Sequence, residues 1–354
     1  MRIVVDAMGA DRRPEPDVAG AVLAAREWGD QIVLVGPEDV VKAELAKHET
    51  AGLSITVVHA PQTIEMHEHT DAVKQKRDAS IRVGMRLVRD GQADAFVSAG
   101  NTAAVLASAL FDLGRLRRGP ARVRRPALAT IYPVAENPVL LLDNGATADC
   151  RVEDLYQFAR MGAAYVEKVW GIPNPRVALL SNGEEADKGN MLVRDAFAFL
   201  QQSELNFVGN VEPKEVTRGM TDIVLTDGFT GNIMLKTTEA TASFLMRHLK
   251  RELTGGALNK VALALLLPGL LAMAPGLLLL SPALRRIARR LDYAEYGGAL
   301  LLGVNGVVII GHGRSNARAV KNAVRQARRA VENGVLEVIR SSIVEGSERG
   351  EDES

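Results

Sequence analysis

Hydrophobic positions along the chain fall into two alternating patterns. Short continuous runs of Val, Ile and Leu predict buried strands at residues 2–6, 31–36, 54–59, 93–98, 139–143, 176–181 and 222–226. Longer stretches with apolar residues at helical spacing predict helices near 16–28, 37–48, 80–90, 102–113, 152–170 and 190–201. Strand and helix in series predict an α/β fold, a mostly parallel sheet with helices on both faces. In such sheets ligands bind where strands end, so the chemistry is expected in the loops that follow them. The first apolar run is short and has no cleavage site, so it reads as a strand and not as a signal peptide.

The pattern breaks once. Residues 261–284 hold no charged side chain over 24 positions, a length that by itself suggests a membrane span. Pro268-Gly269 and Pro275-Gly276 interrupt the run, and Pro282 stands near its end. Lys260 precedes it, and Arg285, Arg286, Arg289 and Arg290 follow. Positive charge at both ends fits a helical hairpin that dips into the bilayer interface, its arginines on anionic headgroups. Leu270, Leu278, Leu279, Arg285 and Arg286 are the expected contacts, and a dimer contact or buried core is the alternative. The chain is thus expected to form one domain over 1–346, with a protruding hydrophobic helical tip at 247–292 and a disordered acidic tail at 347–354.

Composition narrows the classes. The 354 residues carry 43 Lys+Arg against 43 Asp+Glu, which argues against a protein held on nucleic acid by bulk charge. With 47% hydrophobic and 24% charged residues the chain is not disordered, and 4% aromatics argue against base-stacking platforms. One cysteine, Cys150, excludes a disulfide framework and reads as a structural thiol in a reducing cytoplasm.

Five clusters follow predicted strands: 6–11, 98–102, 143–146, 181–190 and 227–232. Each joins Gly, which admits close backbone approach, to small hydroxyl, amide or acidic side chains near a helix start. Singly, each reads first as a turn. Together they point to a cleft for a phosphate-like anion. Neither a dinucleotide fingerprint, a Walker loop nor a Gly-x-Ser-x-Gly elbow is present. His67-Glu68-His69 reads as a polar loop, and no metal or cofactor is expected. His312 lies between glycines after a buried-looking strand, and is weighed evenly between loop and site. Residues 114–125 hold six arginines and form a basic loop.

In this order the motifs resemble those of bacterial phosphate acyltransferases of phospholipid synthesis. The likeness runs from Arg2 to about Ala330, through 6–11, 95–102, 125–129, 141–146, 183–190, 209–212, 227–236, 292–299 and 303–313. There are departures: Ala10 for a second Gly, Arg12-Arg13 for His-Ala, Asn144 for Val, Ala103 for Gly, and a longer Arg-rich loop.

The resemblance implies a homodimeric enzyme with a Rossmann-like sheet, peripheral to the inner face of the cell membrane. Its donor would be acyl-carrier protein and its acceptor inorganic phosphate. The acyl phosphate product would pass to a membrane glycerol-3-phosphate acyltransferase. Phosphate is then the nucleophile, so the missing Ser or Cys attacker is no puzzle. Expected phosphate-binding residues are Gly9, Ser98, Gly100, Asn101, Thr102, Asn144, Asn190, Asp227, Gly228, Thr230 and His312. Lys188, Asn232 and Lys236 are the expected catalytic groups, and Arg117, Arg118 and Arg122 the expected carrier-docking groups. A decayed membrane scaffold and an isocitrate-type dehydrogenase are the competing readings, separated by testing for acyl phosphate.

Overall fold

The computed structural model describes residues 1–132, 135, 137–256, 259, 265, 266, 269, 273, 275, 276, 278–283 and 293–343. Its strands are β1 (Arg2–Asp6), β2 (Gln31–Gly36), β3 (Ile55–His59), β4 (Ala95–Ser98), β5 (Arg117–Arg118), β6 (Ala121–Arg122), β7 (Ala127–Ile131), β8 (Leu140–Leu142), β9 (Val177–Leu180), β10 (Phe207–Val211), β11 (Ile223–Leu225), β12 (Ala299–Leu302) and β13 (Val307–Ile310). Its helices are α1 (Glu15–Trp28), α2 (Glu38–Leu45), α3 (Asp71–Gln75), α4 (Ser80–Arg89), α5 (Thr102–Ser108), α6 (Val152–Tyr165), α7 (Met191–Gln201), α8 (Pro213–Thr217), α9 (Gly228–Thr254), α10 (Tyr293–Tyr296), α11 (Ala317–Glu332) and α12 (Val335–Ser342). Short π-helical turns continue α5 and α6.

All strands but the β5–β6 hairpin join one sheet, in the order β10-β9-β11-β8-β7-β12-β13-β4-β1-β2-β3. Its inner strands are buried on both faces, which explains their continuous apolar sequence. In β1, Ile3 and Val5 join the core beneath α1, α6 and α11, while Val4 joins the opposite core with Met85 of α4 and Phe96. Every strand and helix expected from the hydrophobic pattern is present, the buried-looking strand before His312 as β13, while β5, β6, β7, β10 and β12 are additional strands.

Two of the additional strands reorganise the sheet. Pairing is parallel from β3 through β13 and from β8 through β10, but β7–β8, β7–β12 and β12–β13 are antiparallel. Three reversals in succession make the two parallel halves run in opposite directions. The five Gly-containing loops therefore do not share one edge. Those after β1 and β4 lie at one edge, and those after β8, β9 and β11 at the other. Between the halves, β7 and β12 form a seam.

The expected tip lies largely outside the described residues, as do Leu270, Arg285, Arg286 and residues 347–354. Leu278 and Leu279 are described and exposed, at 71% and 83%. Phe244, Leu245, Met246 and Leu249, towards the end of α9, are likewise exposed. Among the described residues no helix is long and apolar enough to cross a membrane.

Candidate active site

Helix α9 follows β11 and packs its first turn against the loop after β8, which shows why the sequence there reads Asp-Gly-Phe-Thr-Gly-Asn. Asp227 caps the helix, accepting from the Thr230 N–H and hydroxyl, both at 2.8 Å. A Cβ on Gly231 would stand 2.0 Å from the Asp143 carbonyl oxygen, and one on Gly228 2.7 Å from its carboxylate. Only glycine lets the helix backbone come this near.

Asp143 itself is fully buried and organises the loop. Its carboxylate accepts from the backbone N–H groups of Leu128 (2.8 Å), Gly145 (3.1 Å), Ala146 (3.1 Å) and Thr147 (2.7 Å). Burial raises its pKa, and these four N–H groups oppose the rise.

From that anchor α9 runs over the seam, presenting Asn232, Lys236 and Glu239 at helical spacing on one face. They border a cavity of about 320 Å³ between the helix and strands β7 and β12. Asn144 and Gly145 border it near the start of α9; Leu128, Thr130 and Leu235 form its walls; Thr102, Gly298, His312 and Arg314 complete it. Asn144 donates through Nδ2 to the Thr130 hydroxyl at 3.0 Å, while its Oδ1 is buried without a hydrogen-bond partner. The Asn232 amide and Lys236 ammonium make no side-chain hydrogen bond to any described residue. A cavity lined by uncommitted donors, with Lys236 and Arg314 against Glu239, suits an oxyanion.

Glu239 closes the arrangement. It accepts from His312 Nε2 at 3.1 Å and from Arg314 at 2.9 Å, tying the two halves of the sheet together across the cavity. Burial pushes its pKa up, but the His312 hydrogen bond and the charges of His312, Arg314 and Lys236 outweigh this, and the net shift is down from 4.5. A depressed carboxylate stabilises the fold fully above its unfolded value and loses that contribution as pH falls through the folded one. In melting curves from about pH 3 to about pH 7, the gap between wild type and Glu239→Gln is expected to be full above 4.5 and to close below it.

The expected site residues are not all in one place. Thr102, Asn144, Asn232, Lys236 and His312 share the cavity just described. Asn190, Asp227 and Thr230 border a second cavity of about 740 Å³ against the other side of α9. Lys188 is exposed and borders neither. Ser98 donates to Asp6 at 2.7 Å and accepts from Gly100 N–H at 3.0 Å, while Gly9 packs against the backbone of Ala99 and Gly100. Asn101 caps α5 and donates to the carbonyls of Glu65, Met66 and Glu68. Gly9, Ser98 and Gly100 hold the loops after β1 and β4 together, Asn101 ties the second of them to residues 65–68, and Thr102 is left facing the cavity. Gly228 serves close packing and borders neither cavity.

The remaining singled-out groups have local partners. Cys150 donates to the Thr147 carbonyl at 3.5 Å, and burial, reinforced by Asp143, Asp154 and Asp227, raises its thiol pKa to about 12. Glu68 holds Lys76 and the Glu65 N–H. Arg118 donates to the carbonyls of Ser341 and Ile343, Arg117 is exposed, and Arg122 borders a cavity of its own.

Known proteins are similar to this chain in sequence and in fold. A family described as "Fatty acid synthesis protein" matches residues 1–338. A phosphate acyltransferase from Herpetosiphon aurantiacus is 48% identical, over 96% of each chain. One from Pelotomaculum thermopropionicum is 47% identical, over 97% of this chain and 95% of its own. The chain belongs to the phosphate acyltransferase family. Phosphate acyltransferases are transferases, so the protein is an acyltransferase of lipid biosynthesis. A phosphotransacetylase from Streptococcus pyogenes superposes with a TM-score of 0.54 at 18% identity, covering 94% of both chains. One from Staphylococcus aureus gives 0.52 at 15% identity, covering 97% of this chain and 94% of its own. These two share the Rossmann-like α/β fold of this phosphate acyltransferase family member.

Sequence reasoning missed Thr130, Glu239 and Arg314. Glu239 had a readable signal, since it lies one turn beyond Lys236 and two beyond Asn232 on a helix already expected there.

Proposed function

We propose that the protein transfers a fatty acyl group from acyl-carrier protein to inorganic phosphate, giving acyl phosphate and free carrier thiol. The observation that carries this reading is the cavity over the seam, where Asn232 and Lys236 stand without hydrogen-bond partners among the described residues. Phosphate held there attacks the thioester carbonyl carbon. A C–O bond forms, the oxyanion collapses, the C–S bond breaks, and the thiolate leaves to take up a proton. Lys236 offsets charge, while Asn232, Thr102 and Thr130 donate to the phosphate or to the oxyanion. Leu128, Ile131, Leu235 and Ala242 give an apolar wall for the start of the acyl chain.

The test is direct. Carrier-bound acyl thioester and phosphate are incubated with the protein, and acyl phosphate is sought by mass spectrometry. Acyl phosphate supports the reading, whereas unchanged thioester with folded protein overturns it. Acyl-coenzyme A in place of the carrier thioester reports donor choice.

The proposal extends to location. A homodimer at the inner face of the cell membrane would hand acyl phosphate to a glycerol-3-phosphate acyltransferase in the bilayer. The exposed Leu278, Leu279 and Leu280, with Phe244, Leu245 and Leu249, supply apolar surface for such contact. Flotation with anionic vesicles is expected to carry the protein upward, and Leu278→Glu with Leu279→Glu to leave it at the bottom. Flotation equal in both proteins would put the contact elsewhere.

A further inference from the structure

A third concave site lies on the chain, built of arginines. Arg115, Arg122, Arg124, Arg125 and Arg151 surround a cavity of about 260 Å³ with Asp149 and Asp154. Five arginines against two aspartates leave an excess of three positive charges. Arg124 is committed, pairing with Asp154 at 3.3 Å. Arg115, Arg122 and Arg125 make no side-chain hydrogen bond or ion pair to any described residue.

Unpaired guanidinium groups around one cavity repel each other, and an anion placed there would relieve the repulsion. Arg115 is half-buried, and burial lowers its pKa, with the charges of Arg122, Arg125 and Arg124 adding to the fall against Asp154. Guanidinium groups tolerate this better than ammonium groups, and their forked donors match tetrahedral oxyanions. The cavity is held rigidly. Arg115 bridges to Val304 beside the seam, the Arg124 N–H donates to Gln157 of α6 at 2.8 Å, and Gln157 donates to the Arg122 carbonyl. Asp149 and Arg151 belong to the segment that begins with Asn144 and Gly145, so one loop borders both this cavity and the one beneath α9.

We propose that the arginine cavity is a second anion site, one that takes a phosphate group, either free or esterified on a larger ligand. The esterified source is the phosphodiester of the donor's thiol-bearing arm, a part that rests on the proposed acyl transfer. The arginines expected for docking shift accordingly from Arg117 and Arg118 to Arg115, Arg122 and Arg125.

Crystals of the full chain, grown without phosphate and soaked in tungstate, are expected to show an anomalous peak within hydrogen-bond reach of Arg115, Arg122 and Arg125. The double variant Arg122→Gln, Arg125→Gln replaces two exposed, unpaired side chains and is expected to lose the peak while melting no lower than wild type. Calorimetry then compares phosphopantetheine with pantetheine, which differ only in the phosphate. Preference for the former by about tenfold or more in wild type, absent in the double variant, assigns the esterified source. A peak without that preference assigns free phosphate. No peak at these arginines, or a peak that the double variant retains, overturns the site. Acyl-phosphate formation by wild type is measured alongside. Product without the peak sinks the second site alone, and the peak without product sinks the acyl-transfer reading alone.

Discussion

Replacing Asn232 by Leu is expected to lower acyl-phosphate formation by about 100- to 1,000-fold, the usual loss when one oxyanion donor is removed. Asn232 is half-buried, makes no side-chain hydrogen bond to a described residue, and faces the cavity from a helix fixed by its neighbour Gly231. Leu keeps the bulk and the helix, so the melting temperature should hold while kcat/KM falls. A fall in kcat at unchanged KM places the amide on the transition state; a rise in KM alone places it on bound substrate. Unchanged kinetics would remove Asn232 from the machinery and with it the central argument for this cavity. Lys236→Ala tests the charge in the same assay, because its loss should raise the phosphate concentration needed for half-maximal rate.

The largest stability effect is expected at Asp143. Asp143→Ala leaves the N–H groups of Leu128, Gly145, Ala146 and Thr147 without their shared acceptor, those of Leu128 and Thr147 in buried hydrogen bonds and the other two in half-buried ones. Unpaired buried donors cost about 1–3 kcal/mol each before relaxation. A net loss of about 3–5 kcal/mol is expected, as for other broken buried networks. Urea unfolding at neutral pH gives the number, and a loss below about 1 kcal/mol would show that water or backbone movement replaces the carboxylate. Asp143→Asn refines the test. Because burial raises the Asp143 pKa, the folded state holds its proton more tightly than the unfolded chain. Its contribution is therefore most favourable below the unfolded value of 3.8 and declines as pH rises through the folded value. The Asn variant, which cannot titrate, should lack that decline.

The fold was legible where strands were continuous and β-branched, and illegible at the seam. β1 and β2 announce themselves as Ile-Val-Val and Ile-Val-Leu-Val. β7 is Ala-Leu-Ala-Thr-Ile and β12 is Ala-Leu-Leu-Leu, compositions that suit a helix as well as a strand. Only their neighbours in the sheet decide the matter, and with them the reversal of direction that sets two loops apart from three.

The site was harder for a different reason. Asn101, Asn190 and Asp227 stand before helices and carry short polar side chains next to Gly or Thr, the pattern of an anion loop. Each caps a helix, accepting from a backbone N–H at 3.1, 2.9 and 2.8 Å. Capping and anion binding draw on the same side chains, because both answer the same unpaired N–H groups. Residues facing the cavity from mid-helix or mid-strand, such as Glu239 and Thr130, show themselves only once α9 is laid over the seam.

The order of the strands also has a consequence for how the chain is made. β13 sits between β12 and β4, so until residues 299–310 leave the ribosome, the sheet exists as two fragments with open edges at β4 and β7. Those edges are apolar and unpaired, the kind that draws other chains or chaperones during synthesis. The C-terminal hairpin thus acts as a late zipper that joins fragments translated long before it. Because the cavity spans the join, a nascent chain cannot be partly active: a ribosome that stops short of residue 299 releases no fraction of the enzyme, only two halves of a surface that never met.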